Sequence, residues 1–257
     1  MEEKDFRATD SGSLKLLSRR REGTAEYQQI ISSISHELRT PVAILKSNIQ
    51  FLKEFSSDMD QEIKDESISM CEESIENVVS FLDNIQLVNS TAKGQILGSY
   101  SFFKLKQLIQ KVYVDLEKQN LDYKRIAVEW DMAYSEIYSD PALLRQILTN
   151  VCSNALKFSN GEVKLRMKTS SQEFTINIQD SGIGIPEEET ELVFNPFYRA
   201  SNALRIPGYG LGLAIVSSLT DFLDGLIYMS SIVRQGTDIK IIIPCETSPS
   251  NSDRELF

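Results

Sequence analysis

Two long stretches of three-and-four spacing, separated by five polar residues, constrain this chain more than any other feature. From about Ala25 to Phe55, the residues Ile34, Leu38, Val42, Leu45, Ile49 and Leu52 recur at helical intervals. At roughly 100° per residue they fall within an arc of about 80°, one face of a helix. From about Gln61 to Val88, Ile68, Cys71, Ile75, Val78, Leu82 and Ile85 do the same. Ser56-Ser57-Asp58-Met59-Asp60 leaves room only for a short turn, so the pair predicts an antiparallel helical hairpin. A single hairpin leaves its apolar stripes half covered. Two copies complete a four-helix bundle, so a homodimer is expected.

Thr91-Ala92-Lys93-Gly94 breaks the pattern and marks a boundary. Beyond it, Lys104–Lys118, Pro141–Phe158 and Gly212–Phe222 read as helices, the second with Asp140 as its N-cap. Ala127–Trp130, Val163–Met167, Phe174–Ile178, Leu226–Ile232 and Asp238–Ile243 read as strands. Such a mixture predicts an α+β sandwich with helices on one face of a sheet. The expected organisation is a lead-in or signalling-helix end at 1–24, a helical domain at 25–93, the sandwich at 94–245 and a disordered tail at 246–257.

A net charge of −10 argues against a nucleic-acid binder. No apolar run approaches the ~18 residues that span a bilayer, and the N-terminus has no signal-peptide core. A cytoplasmic location is expected, with membrane attachment only through a longer parent carrying a transmembrane sensor. Cys71, Cys152 and Cys245 form no CxxC pattern and have one histidine to assist them, so they read as reduced thiols rather than a zinc site.

His36 is the one histidine. On the helical wheel it lies about 160° from the centre of the apolar stripe. A packing histidine would sit on the stripe. Near neutral pH its imidazole offers a free nucleophilic nitrogen, and adjacent Glu37 can accept or orient a proton. Pro41 leaves the Glu37 carbonyl without its helical partner and predicts a bend there. Taken by itself, a surface histidine with no role is the better explanation of position 36, and only the neighbouring motifs change that.

Three further segments carry chemistry. Asn150, Asn154 and Lys157 share one helix face. Amide oxygens suit Mg²⁺, and a lysine beside them can hold a phosphate; a polar outer helix face is the plain alternative. Asp180-Ser-Gly182-Ile-Gly184-Ile-Pro186 follows a strand, its glycines permitting close approach of a flat ligand, with Asp180 placed to accept from an adenine amino group. An ordinary turn also explains it. Gly208-Tyr-Gly210-Leu-Gly212-Leu runs into a helix start, a ready anion site, but its spacing fits neither a Walker A loop nor a dinucleotide fingerprint. Asn195–Tyr209, with Arg199, has the length of a lid over phosphates.

In this order the segments resemble the histidine kinases of two-component signalling, over roughly residues 25–245. Ser35-His36-Glu37-Leu38-Arg39-Thr40-Pro41 is similar to the family's phosphoacceptor motif. Asn150–Phe158 resembles its N box, Asp180–Pro186 and Gly208–Leu213 its two glycine boxes, Phe194–Arg199 its F box and Gln235-Gly236-Thr237 its last short box. The resemblance implies the ATP-binding sandwich shared with gyrase and Hsp90 chaperones. It implies His36 as phosphoacceptor and Glu37 as acid or base. ATP and Mg²⁺ would be held by Asn150, Asn154 and Lys157, with the metal on the two asparagines. Asp180, Gly182, Gly184 and Thr237 would serve the adenine end, and Arg199, Gly208, Gly210 and Gly212 the phosphates. A response-regulator receiver domain would take the phosphoryl group, and Thr40 would assist its later removal. Two rival readings are an ATP-hydrolysing clamp without phosphohistidine and a non-catalytic dimeric adaptor.

Overall fold

A computed structural model describes residues 14–15, 24–55 and 59–247. The turn residues Ser56–Asp58, most of the 1–24 lead-in and residues 248–257 lie outside them, as does the side-chain direction expected for His36. The chain divides into two compact units, Arg20–Ser90 on one side and Met1–Arg19 with Thr91–Phe257 on the other.

The first unit is a pair of helices, α1 (Thr24–Phe55) and α2 (Gln61–Ala92). α1 continues through Pro41, and α2 runs one turn past the expected Val88. The predicted apolar stripes divide in two. Leu38, Leu45 and Leu52 are half-buried, while Val42 and Ile49 are 51% and 45% exposed. On α2, Cys71, Val78 and Ile85 are half-buried, while Ile68, Ile75 and Leu82 remain exposed. The inward lines instead recruit Pro41 and Asn48 on α1 and Ser67, Ser74 and Phe81 on α2. Alternation of three and four along both lines is the 3.5-residue repeat of a coiled-coil seam. Ser67 and Ser74 are buried on this line, with Ser74 Oγ donating to the Met70 carbonyl at 2.8 Å.

The second unit is an α+β sandwich. Its main sheet holds β1 (Leu14–Lys15), β3 (Ile126–Met132), β5 (Val163–Thr169), β6 (Glu173–Gln179), β7 (Leu226–Ile232) and β8 (Gly236–Pro244) in the order β1-β7-β8-β6-β5-β3. All neighbours are antiparallel except β3 and β5. A small antiparallel sheet, β2 (Ser101–Lys104), β4 (Glu136–Ser139) and β9 (Glu246–Thr247), stands apart. Two expectations change here. The lead-in contributes an edge strand beside β7, and the tail's first two residues pair with β4.

Helices α3 (Leu105–Lys118), α4 (Pro141–Phe158) and α5 (Gly212–Phe222) form the second layer. α4 lies on β5 and β6, α5 on β7, and α3 beside α4. β5 shows why one sheet face takes this layer: Val163, Leu165 and Met167 are fully buried, while Lys164, Arg166 and Lys168 alternate outward. On the outer face Arg166 pairs with Glu129 at 2.8 Å and Lys168 with Asp131 at 3.5 Å. No helix among the described residues is long and apolar enough to cross a membrane.

Candidate functional site

Helix α4 is the spine of the site. Asp140 Oδ1 accepts the Ala142 and Leu143 N–H groups at 2.9 and 3.0 Å, and Pro141 supplies a first-turn residue whose missing N–H costs nothing. Leu144, Ile147, Leu148 and Val151 bury the inner face. Half-buried Asn150 and Asn154 meet the start of α5. Asn150 Nδ2 donates to the Gln146 carbonyl at 2.8 Å, which leaves its Oδ1 toward Gly212. A Cβ on Gly212 would lie 3.2 Å from that oxygen and 3.3 Å from Asn154 Nδ2, so a side chain there would crowd both amides. Two hard oxygen ligands therefore lie beside a helix N-terminus, a donor set that fits a Mg²⁺ retaining most of its waters and carrying phosphates.

Lys157 follows one turn on. Its side chain is exposed, yet the protein around its ammonium lowers its pKa by desolvation. A neighbouring phosphate would favour the charged form and offset that penalty.

The first glycine loop rests on the end of α4. Ile183 N–H donates to the Phe158 carbonyl at 3.1 Å, and any Cβ on Gly182 would collide with that same oxygen. Gly184 has φ +64° with its Cα against the Ile232 carbonyl, so it cannot carry a side chain without moving the backbone. Asp180 sits at the mouth of the loop. Its N–H donates to the Thr237 carbonyl at 2.9 Å, and its Oδ1 accepts the Gly182 N–H at 2.7 Å. Desolvation raises the Asp180 pKa, opposed by the backbone N–H groups of Gly182 and Thr237. Thr237 Oγ1 is 2.9 Å from Ser231 Oγ, which in turn accepts the Ile185 N–H at 2.8 Å. Asp180, Gly182, Gly184 and Thr237 thus form one cluster, knitted to the β7–β8 turn.

The segment Asn195–Tyr209 is held from inside. Arg199 Nη2 donates to the carbonyls of Ala203, Leu204 and Ile206, at 3.0, 3.0 and 2.5 Å. It cross-braces the turn Ser201–Ala203. Gly210, φ +68°, lies against the Phe197–Tyr198 backbone, whereas Gly208 has open space around its Cα. Two residues absent from the sequence reading matter here. Glu189 accepts from Tyr198 Oη at 3.1 Å and from the Ser201 N–H at 2.9 Å. Asn202 Nδ2 donates to the Gly184 carbonyl at 2.9 Å, tying this segment to the first glycine loop. Neither has a local sequence signature, because their partners lie 9 to 18 positions away. His36, Glu37 and Thr40 lie on α1 in the other unit, Thr40 exposed.

Residues 12–92 match the family model of the His Kinase A (phospho-acceptor) domain. Residues 139–247 match that of the histidine kinase-, DNA gyrase B- and HSP90-like ATPase. The chain belongs to the sensor histidine kinases. Among curated relatives it is 28% identical over 229 residues to the sensor protein kinase WalK of Staphylococcus aureus, covering 86% of this chain and 54% of that one. Against WalK of strain JH9 it covers 37% of the relative, so the chain spans about half or less of the proteins it matches. The Acinetobacter baumannii histidine kinase AdeS is similar in fold, with a TM-score of 0.59 and 23% identity over 81% of this chain and 97% of that one. So is the histidine kinase ThkA, solved in complex with the response regulator protein TrrA, at a TM-score of 0.56 and 21% identity over 88% of this chain and 63% of that one.

Proposed function

We propose that this chain is the catalytic core of a sensor kinase that moves the γ-phosphoryl group of ATP onto His36 and then to an aspartate of a response regulator. The observation that carries the reading is the meeting of Asn150, Asn154 and Gly212 at the start of α5, on the same helix whose end supports the Asp180 loop.

Asp180 accepts from the adenine amino group, and Gly182 and Gly184 admit the base beside the backbone. Asn154 and Asn150 hold Mg²⁺, which neutralises phosphate charge. Lys157 and the α5 N-terminus meet the phosphate chain, and Arg199 braces the segment that covers it. Phosphoryl transfer needs positioning and charge stabilisation more than covalent help. A neutral His36 nitrogen attacks the γ-phosphorus, the bond to the β–γ bridging oxygen breaks, ADP leaves and Glu37 takes up the imidazole proton. The phosphorus–nitrogen bond then yields to a regulator carboxylate while the proton returns from Glu37 to the ring, which restores neutral His36. Thr40, four residues on and so on the same helical face, orients water for the reverse removal of phosphate from the regulator.

The exposed halves of the stripes, Val42 and Ile49 with Ile68, Ile75 and Leu82, suit closure by a second copy into a four-helix bundle. The complex of ThkA with a response regulator supports a receiver domain as partner. The core works in the cytoplasm, attached to a membrane only through a longer parent.

The test is incubation with γ-labelled ATP and Mg²⁺ for wild type and His36→Gln, followed by acid and base treatment. Acid-labile, base-stable label lost in the variant supports the reading. Label surviving in the variant, or phosphate released with no protein label, overturns it in favour of an ATP-hydrolysing clamp.

A further inference from the structure

Helix α4 ends without the glycine that closes many helices: Ser159, its C-cap, has extended backbone angles of φ −126° and ψ 158°. The last carbonyls of a helix lack intrahelical donors and need partners from elsewhere. Ser159 Oγ donates to the Ala155 carbonyl at 2.7 Å and the Ile183 N–H to that of Phe158, and one guanidinium serves Leu156 and the two carbonyls just beyond the helix. Arg125 Nη1 donates to the Leu156 carbonyl at 3.2 Å, and Nη2 to the Ser159 carbonyl at 2.7 Å and Ser159 Oγ at 3.1 Å. Nε and Nη2 both reach the Gly161 carbonyl, at 3.0 and 2.7 Å. The planar fork of a guanidinium makes such simultaneous contacts possible, and an ammonium cannot reproduce them.

The carbonyl between these is the one that matters for nucleotide. Phe158 O accepts the Ile183 N–H and bears on Gly182. A few residues on, a Cβ at Gly161 would lie 2.8 Å from Ser181 Oγ, so the second face of the same loop rests on Gly161. Arg125 therefore grips the floor of the first glycine loop on both sides of its contact point, and the same grip fixes the turn that carries Lys157. Arg125 is itself held. It ends the turn Tyr123–Arg125, capped by Asp122, whose Oδ1 accepts the Lys124 N–H at 3.2 Å. Tyr123 stacks on Tyr113 of α3 at 4.9 Å between ring centroids.

We infer that Arg125 is a positioning residue for nucleotide binding: it sets the adenine loop and Lys157 through the end of α4 without touching ATP. This rests on the ATP-site reading above. Loss of the fork weakens the loop's hold on ATP in the bound ground state and the transition state alike. ATP affinity then falls while the rate at saturating ATP is kept, the pattern of lost uniform binding.

The experiment uses the full chain with Mg²⁺. A fluorescent ATP analogue is titrated into wild type, Arg125→Lys and Arg125→Ala below their melting temperatures, and the ATP KM and kcat of autophosphorylation are measured beside it. Expected is a graded loss, with Arg125→Ala weaker by about tenfold, as for one or two lost charged hydrogen bonds, and Arg125→Lys between it and wild type. The kcat stays within about twofold, because only binding is disturbed. If both variants melt earlier yet bind like wild type, Arg125 is a structural cap alone and the inference is overturned. A fall in kcat at unchanged KM overturns it as well. Should Arg125→Ala not fold, Arg125→Lys alone decides between these outcomes. Wild type that fails to bind the analogue overturns the ATP reading itself, a result distinct from equal binding by wild type and variants.

Discussion

The two units of this chain handle apolar surface in opposite ways. In the sandwich, Leu105, Leu144, Ile147, Leu165, Ile176 and Ile215 are all at 0% exposure, and the helix layer seals one sheet face. In the hairpin, Phe81 at 1% is the one large side chain of that kind among the described residues, and two of the six expected stripe residues on α1 and three of the six on α2 face outward. The sandwich completes its own core. The hairpin is an unfinished core, which the proposed dimer would complete. The lesson is a division of labour: the proposed nucleotide grip sits in the self-sufficient unit, and the proposed nucleophile His36 sits in the unit that leaves part of its apolar surface uncovered.

The sharpest way to break that division is at its two ends. His36→Gln should reduce protein labelling to background while leaving nucleotide binding intact, read by γ-label incorporation beside analogue titration. Loss of both would show the units are not separable in function.

Next in size is Gly184→Ala. At φ +64° an alanine is strained by about 1–2 kcal/mol, before the collision with the Ile232 carbonyl is counted. Nucleotide binding should fall by about five- to thirtyfold if that strain is relieved by moving the loop. The dimer, measured by light scattering, should persist.

The mirror experiment is Ile75→Glu, which places a charge on the exposed half of the α2 stripe. It should shift the chain toward monomer and lower its helix content by circular dichroism at low concentration. Nucleotide affinity should be little changed. An unaltered dimer would mean that the exposed stripe is not the interface.

The smallest effect probes strain stored in the sandwich. Burial raises the Asp180 pKa above that of an unfolded carboxyl. Its charged form therefore costs stability above the raised value, and the cost disappears as pH falls below the unfolded value. Asp180→Asn should melt higher than wild type at neutral pH, with the gain shrinking on acidification, while losing nucleotide affinity. A gain that grows toward acid would contradict the assignment.

Much of this was readable from the sequence where a local period ran long enough. α4 and α5 fall where the spacing placed them, and Asp140 caps α4 through two backbone N–H groups. The four-residue strands β2 and β4 escaped because they are too short for alternation to stand out, and β9 because two residues gain meaning only by pairing. The division of the hairpin stripes escaped for another reason. A 3.6-residue wheel merges two adjacent faces that a 3.5-residue seam separates, so Ser67 and Ser74 looked polar and peripheral. Arg125, Glu189 and Asn202 left no trace because their partners, mostly backbone atoms, lie beyond the reach of any local pattern. Arg125 reaches carbonyls 31 to 36 positions away.

Asp140 has a second use whose consequence is mechanical. While Oδ1 caps α4, Oδ2 accepts the Ser99 N–H at 2.5 Å, and the residue is 2% exposed. The chain leaving the hairpin is thus moored at the root of the nucleotide helix. Free line runs only from Ala92, where α2 ends, to Ser99. At full stretch those seven steps span about 25 Å. If ATP is delivered to His36 as proposed, the swing must take place on a leash of that length, fastened to the helix proposed to hold the phosphates.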